Sequence, residues 1–220
     1  MDDSNAFLQP NATVNSDHPR VLAFVRRNIS KNTSSLERVV DLYRAVRDQI
    51  YYDPYRITLT VHGLSASTTL ESGFGWCVPK AALLAACCRA IGVPASLGYA
   101  DVRNHLTTDR LKKRMRSDIF YWHGYTNIFL DRRWVKATPA FNASLCAKCR
   151  IKPLDFDGRS DAVFYPFDEA GRRHMEYIND RGAFADIPIE EIRCTFESQY
   201  PNFMTALDDA DFAADLAPNE

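Results

Sequence analysis

The sequence predicts an α+β fold, in which a helical N-terminal part packs on an antiparallel β-sheet. Apolar residues recur every three or four positions over 18–31 and again over 34–50, which predicts two amphipathic helices. A third, more apolar helix is predicted directly after Cys77. Two segments rich in aromatic and β-branched residues, 120–130 and 134–142, flank a short polar turn, and this arrangement predicts a β-hairpin.

The length and net charge of the chain restrict the classes of protein to which it can belong. A chain of 220 residues fits a single domain spanning 1–220, and its net charge of −1 gives no electrostatic basis for binding nucleic acid or an anionic membrane. No apolar run reaches transmembrane length, and the N-terminus lacks the pattern of a signal peptide. We therefore expect a cytoplasmic protein whose six cysteines are mostly free thiols.

The first two helices carry start signals. Pro19 suits the first turn of a helix, because its missing N–H is not needed there. Ser34 and Glu37 form a capping-box pattern that starts the second helix. The residues predicted to form the buried face of this helix are Leu36, Val39, Val40, Tyr43, Val46 and Ile50.

Cys77 is predicted to open the third helix. Gly73 and Gly75 indicate a turn before it, Pro79 suits the first helical turn, and Gly92 indicates the end. A helix N-terminus favours a thiolate, the form of cysteine that attacks carbonyl groups. The alternative is that Cys77 is one more buried thiol, since cysteine is among the most buried residue types.

The segments around these elements are less regular. The polar stretch 56–72 is predicted to be a loop leading to Cys77, and a strand follows near 91–100. The basic stretch 103–118 is predicted to be a solvated loop beside a cleft, because it is too short and isolated to indicate nucleic-acid binding. A last helix is predicted over 186–200.

The hairpin register brings a histidine close to two polar residues. With the turn at positions 131–132, His123 faces Ala140, and its diagonal neighbours on the same face are Thr138 and Asn142. Such neighbours lie roughly 7–8 Å apart at the backbone, within reach of a hydrogen bond to an imidazole. A turn of odd length would reverse the faces. A lone histidine in a strand is also compatible with a simple core position, but together with Cys77 it indicates a catalytic pair.

These residues resemble the core of the transglutaminase-like superfamily over about 36–142. The matching features are Cys77 at the start of a helix, the Arg-x-x-Gly-x-Pro-Ala stretch at 89–95, His123 on a strand, and Trp-Val-x-x-Thr-Pro at 134–139. The family usually has aspartate where this chain has Thr138. The part from 143 to 220 is predicted to be an extension packed on this core, and its sequence resembles bacterial proteins of the superfamily.

The resemblance implies a transglutaminase-like, papain-like cysteine-hydrolase fold and a cysteine-dependent acyl-transfer enzyme. Cys77 would be the nucleophile and His123 the general base, while Trp76 would lie at the oxyanion hole or cleft. Thr138 lacks the charge of the usual acid, so Asn142 is the candidate third member of the triad. Two acidic residues beyond the hairpin, Asp155 and Asp157, are further candidates.

Peptide or protein amides are the expected substrates, no cofactor is expected, and the number of subunits is left open. We expect hydrolysis rather than transfer to an amine, because the sequence has no recognisable amine-binding feature or calcium loop. The alternative is a non-catalytic binding module that retains the fold. The lone Cys-x-x-Cys at positions 146–149 leaves a metal or redox role open, although it lacks a partner motif.

Overall fold

The structure is a computed structural model that describes residues 5–31, 33–105, 108–164, 175–200 and 211–216. Its helices are α1 (Pro19–Asn28), α2 (Ser35–Gln49), α3 (Val61–Leu64), α4 (Ala66–Ser72), α5 (Cys77–Ala90), α6 (Asp109–Met115), α7 (Ala143–Cys149), α8 (Ile189–Gln199) and α9 (Phe212–Asp215). Its strands are β1 (Tyr51–Tyr52), β2 (Phe74–Gly75), β3 (Ala95–Asn104), β4 (Ile119–Leu130), β5 (Arg133–Ala137) and β6 (Met175–Phe184).

Four strands form an antiparallel sheet in the order β5-β4-β3-β6, and β1 and β2 form a separate parallel pair. The helices α1, α2 and α4 surround α5, which in turn packs on β4. The predicted α+β class is therefore confirmed. No helix in the described ranges has the length and apolarity needed to cross a membrane.

The start signals of the first two helices act as predicted. Pro19 occupies the first turn of α1. The Ser34 hydroxyl accepts the backbone N–H of Glu37, and the Glu37 carboxylate accepts the backbone N–H of Ser34 at 2.8 Å. This reciprocal pair satisfies two donors that a helix start would otherwise leave open. The buried face of α2 packs against α5.

Helix α5 is buried on all sides from Cys77 to Arg89, and this includes two cationic side chains. The Lys80 amino group donates to the backbone carbonyl of Arg47 at 3.0 Å and to that of Ile50. These carbonyls lie at the end of α2, where a helix has no intrahelical donors left. Burial holds the pKa of Lys80 well below its usual range. Lys80 therefore joins the end of α2 to the first turn of α5.

The second buried cation, Arg89, connects the other end of α5 to three segments. Its guanidinium donates to the carbonyls of Ala95 at 2.8 Å, Gln9 at 2.7 Å and Ala185 at 2.7 Å. Burial lowers its pKa to about 10. A planar guanidinium can serve several carbonyls at once, which an ammonium group cannot do with the same geometry.

The hairpin between β4 and β5 has the predicted turn. Asp131 and Arg132 both have positive φ, 47° and 66°, as a two-residue type I′ turn requires. Phe129 then lies opposite Trp134, which confirms the predicted register near the turn.

The same register is wrong farther from the turn. The ladder ends where Thr126 pairs with Ala137, and Ala137 also pairs in parallel with Ala162. The Thr138 N–H donates to the Ala162 carbonyl at 2.9 Å. The chain thus leaves β4 before it reaches the level of His123, because a distant segment offers it another partner.

Candidate functional site

Cys77 is the first residue of α5, with Trp76 at the N-cap, and its side chain is buried. The parallel pair β1–β2 fixes the approach, because Tyr52 pairs with Gly75 just before the helix starts. Gly124 of β4 lies directly against this turn, and a Cβ placed there would come within 3.0 Å of the Val78 Cα. The absence of a side chain at Gly124 thus permits the close approach of strand and helix.

The surroundings of the Cys77 sulfur have opposing effects on the pKa of its thiol. Burial raises the pKa of the Cys77 thiol to about 11, while the backbone N–H groups of Gly124 and Val78 favour the thiolate. The helix start therefore does not by itself produce the low pKa that we predicted from the sequence. A thiolate at this position needs a nearby group that accepts the thiol proton.

His123 lies on β4 and lines the same cavity as Cys77 and Trp76. Its side chain is buried, and its ring contacts Phe164 with centroids 5.5 Å apart and Tyr177 at 6.4 Å. The structure thus brings together three of the residues predicted to form the site.

A β-bulge precedes His123. Two residues of β4, Tyr121 and Trp122, lie opposite the single residue Asp101 of β3, and Trp122 has a φ of 60°. A bulky residue in this left-handed region is unusual, and it persists only where its surroundings hold it. The bulge changes the direction in which the following side chain, His123, leaves the strand.

The buried carboxylate of Asp101 holds the bulge. It accepts the N–H of Trp122 at 3.2 Å, the Arg181 Nε at 2.6 Å and the Asn179 amide at 3.2 Å. The Arg181 guanidinium lies 4.4 Å above the Trp122 ring, and the indole N–H donates to Thr195 at 2.9 Å. Asp101 is not among the residues predicted from the sequence, because its burial depends on Arg181 and Asn179, which lie about 80 positions away along the chain.

Thr138 and Asn142 do not occupy the diagonal positions that the longer ladder predicted. Thr138 is buried, and its hydroxyl lies beside that of Tyr177, whose ring contacts His123. The Asn142 amide accepts the N–H of Tyr52 at 3.1 Å and donates to the Ser144 hydroxyl at 2.7 Å. Asn142 lines a different, more polar cavity of about 370 Å³. The diagonal position predicted for Asn142 is therefore wrong, because the β4–β5 ladder ends at Ala137.

The two acidic alternatives also have partners elsewhere. Asp155 lies 3.6 Å from Arg44 at the surface, and Asp157 accepts the backbone N–H groups of Arg159 and Ser160 at 2.7 Å. Neither lines the cavity that contains Cys77. Both residues are exposed at the surface.

The cavity beside Cys77 is apolar. It contains about 50 Å³ of free space, and no Asp, Glu, Lys or Arg side chain occurs among the described residues that line it. Its walls come from α6, α8, β3 and β4 as well as from the start of α5. Such a lining suits an uncharged group beside the thiol better than a charged one.

The Cys-x-x-Cys pair lies on α7 at the other side of Asn142. Cys146 is buried, Cys149 is half-buried, and burial raises the pKa of the Cys146 thiol to about 12. Within the ranges that the structure describes, no group of three or more His, Cys, Asp or Glu side chains is arranged to hold a metal ion.

One comparison with protein families matches the part of the chain that contains Cys77 and His123. A model of the transglutaminase-like superfamily matches residues 23–139, which include Trp76, Cys77, His123 and Thr138. No curated protein matches the chain. A crystal structure described as a putative cysteine protease from Cytophaga hutchinsonii is similar, with 18% identity and a TM-score of 0.47. The match covers 84% of this chain and 55% of that one, so this chain spans little more than half of that protein.

The superfamily match extends over more than half of the chain, from α1 to the end of the hairpin. It contains the helix that begins at Cys77 and the strand that carries His123. The chain belongs to the transglutaminase-like superfamily.

Proposed function

We propose that the protein is a cysteine-dependent enzyme that cleaves amide bonds of peptide or glutamine-type substrates. Membership of the superfamily supports a cysteine-dependent enzyme in general. The observation that carries the proposal is that Cys77, at the start of a buried helix, shares one cavity with His123. A nucleophile and a base in one water-poor cavity are what acyl transfer requires.

In the proposed mechanism, the His123 imidazole takes the thiol proton as the Cys77 sulfur attacks the carbonyl carbon. The carbonyl oxygen becomes an oxyanion, and backbone N–H groups at the helix start stabilise it, with Trp76 forming the cavity wall. His123 returns the proton to the leaving amine as the C–N bond breaks. Water, activated by His123, then attacks the thioester and releases the carboxylic acid.

Thr138 stands where the superfamily usually has the aspartate that pairs with the catalytic imidazole. A threonine hydroxyl brings no negative charge, so Thr138 itself does not supply the charge stabilisation that the usual aspartate provides. The hydroxyl of Thr138 lies beside that of Tyr177, whose ring contacts His123. We propose that Thr138 and Tyr177 fix the position of the imidazole rather than its charge.

An acyl ester tests the proposal. With N-acetyl-leucine 4-nitrophenyl ester, we expect nitrophenol release, an acyl group on Cys77 in the mass spectrum, and free N-acetyl-leucine as the main product. Glycine ethyl ester added as an amine acceptor is expected to receive the minor share of acyl groups. Cys77→Ser is the control and should show neither the adduct nor turnover.

Two outcomes of this experiment would contradict the proposal. If most acyl groups pass to glycine ethyl ester, the enzyme is a transferase. If the wild type releases nitrophenol no faster than Cys77→Ser, Cys77 is not a nucleophile towards this ester. The second candidate function, a binding module, would then be favoured, and Thr138 in the place of the usual aspartate is the observation that supports it.

Asn142→Ala separates a structural role from a catalytic one. The substitution removes hydrogen bonds to Tyr52 and Ser144, so we expect a loss of about 1–2 kcal/mol in the free energy of unfolding. Thermal unfolding measures this loss, and Ser144→Ala, which removes one of the two bonds, should cost less. Cys77 alkylation at neutral pH should change by less than about twofold. A loss of about a hundredfold with unchanged stability would make Asn142 the third member of the triad after all.

A further inference from the structure

The cavity beside Cys77 has the properties of a specificity pocket. Its walls include Val102, Leu111, Met115 and Phe196, all of which are buried. Leu111 and Met115 belong to α6, which closes the cavity on one side. Buried walls on several sides make this a partly enclosed recess rather than a flat surface.

Two tyrosines that line the recess, Tyr200 and Tyr121, have hydroxyl groups that are already engaged, while Asn104 and Tyr52 also belong to its lining. The Tyr200 hydroxyl donates to the Ile119 carbonyl at 2.9 Å and accepts the Tyr121 N–H at 2.8 Å. The Tyr121 hydroxyl donates to Gln199 at 3.2 Å. A carboxamide placed in the recess would lose its hydrogen bonds to water without gaining equivalent partners from these tyrosines. A hydrocarbon group has no hydrogen bonds to water to lose.

The size of the recess limits the hydrocarbon group. Its free space of about 50 Å³ exceeds the roughly 10–15 Å³ that one water molecule needs. It is about one third of the ~150 Å³ of an apolar cavity that accepts benzene. A few carbon atoms fit, and an aromatic ring does not.

The partly enclosed shape also indicates which half of the substrate enters. The acyl part stays bonded to the sulfur through both steps, while the amine must leave after the first. A recess without a wide opening suits the part that stays. The larger and more polar cavity lined by Asn142, Ser144 and Lys148 shares Tyr52 with the recess and suits the departing part.

We infer that the recess binds a branched aliphatic side chain, that of valine or leucine, on the acyl side of the scissile amide. This inference rests on the proposed function, because it takes Cys77 to be the nucleophile. It also narrows that function, since an aliphatic pocket excludes glutamine as the preferred acyl residue.

Irreversible probes test the inference on the wild-type protein. N-acetyl-aminoacyl chloromethyl ketones of valine, leucine, alanine, glutamine and phenylalanine alkylate a thiolate at carbon with loss of chloride. The rate of Cys77 labelling, followed by mass spectrometry, is divided by the rate of glutathione with the same probe. We expect the valine and leucine probes to react at least about tenfold faster than the glutamine, alanine and phenylalanine probes.

The outcomes separate the two proposals. Cys77 labelling that is fast for all probes without preference, or fastest for glutamine, overturns the pocket assignment and leaves the nucleophile in place. Labelling no faster than glutathione for every probe overturns the proposed function itself.

Enlarging the recess gives an independent check. Leu111→Ala removes three carbon atoms from its wall, and we expect the ratio of phenylalanine to leucine labelling to rise about tenfold. Leu70→Ala, on α4 and outside the recess, is the matched control and should leave the ratio unchanged. An unchanged ratio in a folded Leu111→Ala protein contradicts the assignment. If this variant does not fold, the labelling rates of the wild-type protein with the five chloromethyl ketones decide whether the recess is an aliphatic pocket.

Discussion

His123→Ala is expected to remove the reactivity of Cys77 at neutral pH. Burial raises the pKa of this thiol to about 11, so without a proton acceptor roughly one thiol in ten thousand is ionised at pH 7. In the proposed mechanism, transfer of the proton to His123 supplies the thiolate of the wild type at neutral pH. Iodoacetamide labelling of Cys77 should therefore be at least about a hundredfold slower in the variant at pH 7.

The rate of Cys77 labelling should depend on pH differently in His123→Ala and in the wild type. A thiol with a raised pKa gains reactivity tenfold per pH unit up to that pKa, so the His123→Ala rate should still rise between pH 8 and pH 10. The wild-type rate should be level over the same range. His62→Ala, at an exposed position on α3, is the control and should behave as wild type. A wild-type profile that also rises steeply would show that no thiolate–imidazolium pair forms, and it would favour the binding module.

Asp101→Ala is expected to have the second-largest effect. It removes a buried carboxylate that holds Arg181 and the N–H of Trp122, and breaking such a pair costs about 3–5 kcal/mol. The melting temperature of the protein should fall by roughly 10 °C. Because the bulge at Trp122 directs His123, labelling of Cys77 at pH 7 should fall by at least about tenfold in protein that is still folded.

Two further variants distinguish positioning from simple stability. Asp101→Asn keeps an oxygen that accepts the Trp122 N–H, so it should restore part of the labelling rate. Asp186→Ala removes a carboxylate that accepts the Thr13 N–H at 3.1 Å, far along the chain from the bulge, and it should lower stability without changing the pH profile. If Asp101→Ala is destabilised but keeps the wild-type profile, Asp101 has no role in positioning His123.

The parts of the fold that follow local rules could be predicted from the sequence. The capping box at Ser34, the helix that begins at Cys77 and the two-residue turn at Asp131 depend on residues within a few positions of each other. The prediction was wrong for 56–72 and 103–118, which contain short helices. Thr60, Ser65 and Thr108 cap these helices, but four to seven residues give too little periodicity to detect.

The surroundings of the site could not be predicted in this way. The parallel pairing of Ala137 with Ala162 joins segments 25 positions apart, and it draws Thr138 and Asn142 off the ladder. The burial of Asp101 depends on Arg181 of β6, which lies farther still along the chain. Local patterns identify Cys77 and His123, whereas tertiary contacts determine what surrounds them.

The complete burial of α5 has a consequence for any thiol chemistry on this protein. One helix carries Cys77 at the cavity and Cys87 and Cys88 in the core, where both have an exposed fraction of 0%. A reagent reaches Cys77 through the cavity, but it reaches the other two only when the core opens. The helix thus contains its own internal reference: modification of Cys77 without Cys87 and Cys88 reports the state of the cavity, and modification of all three reports unfolding.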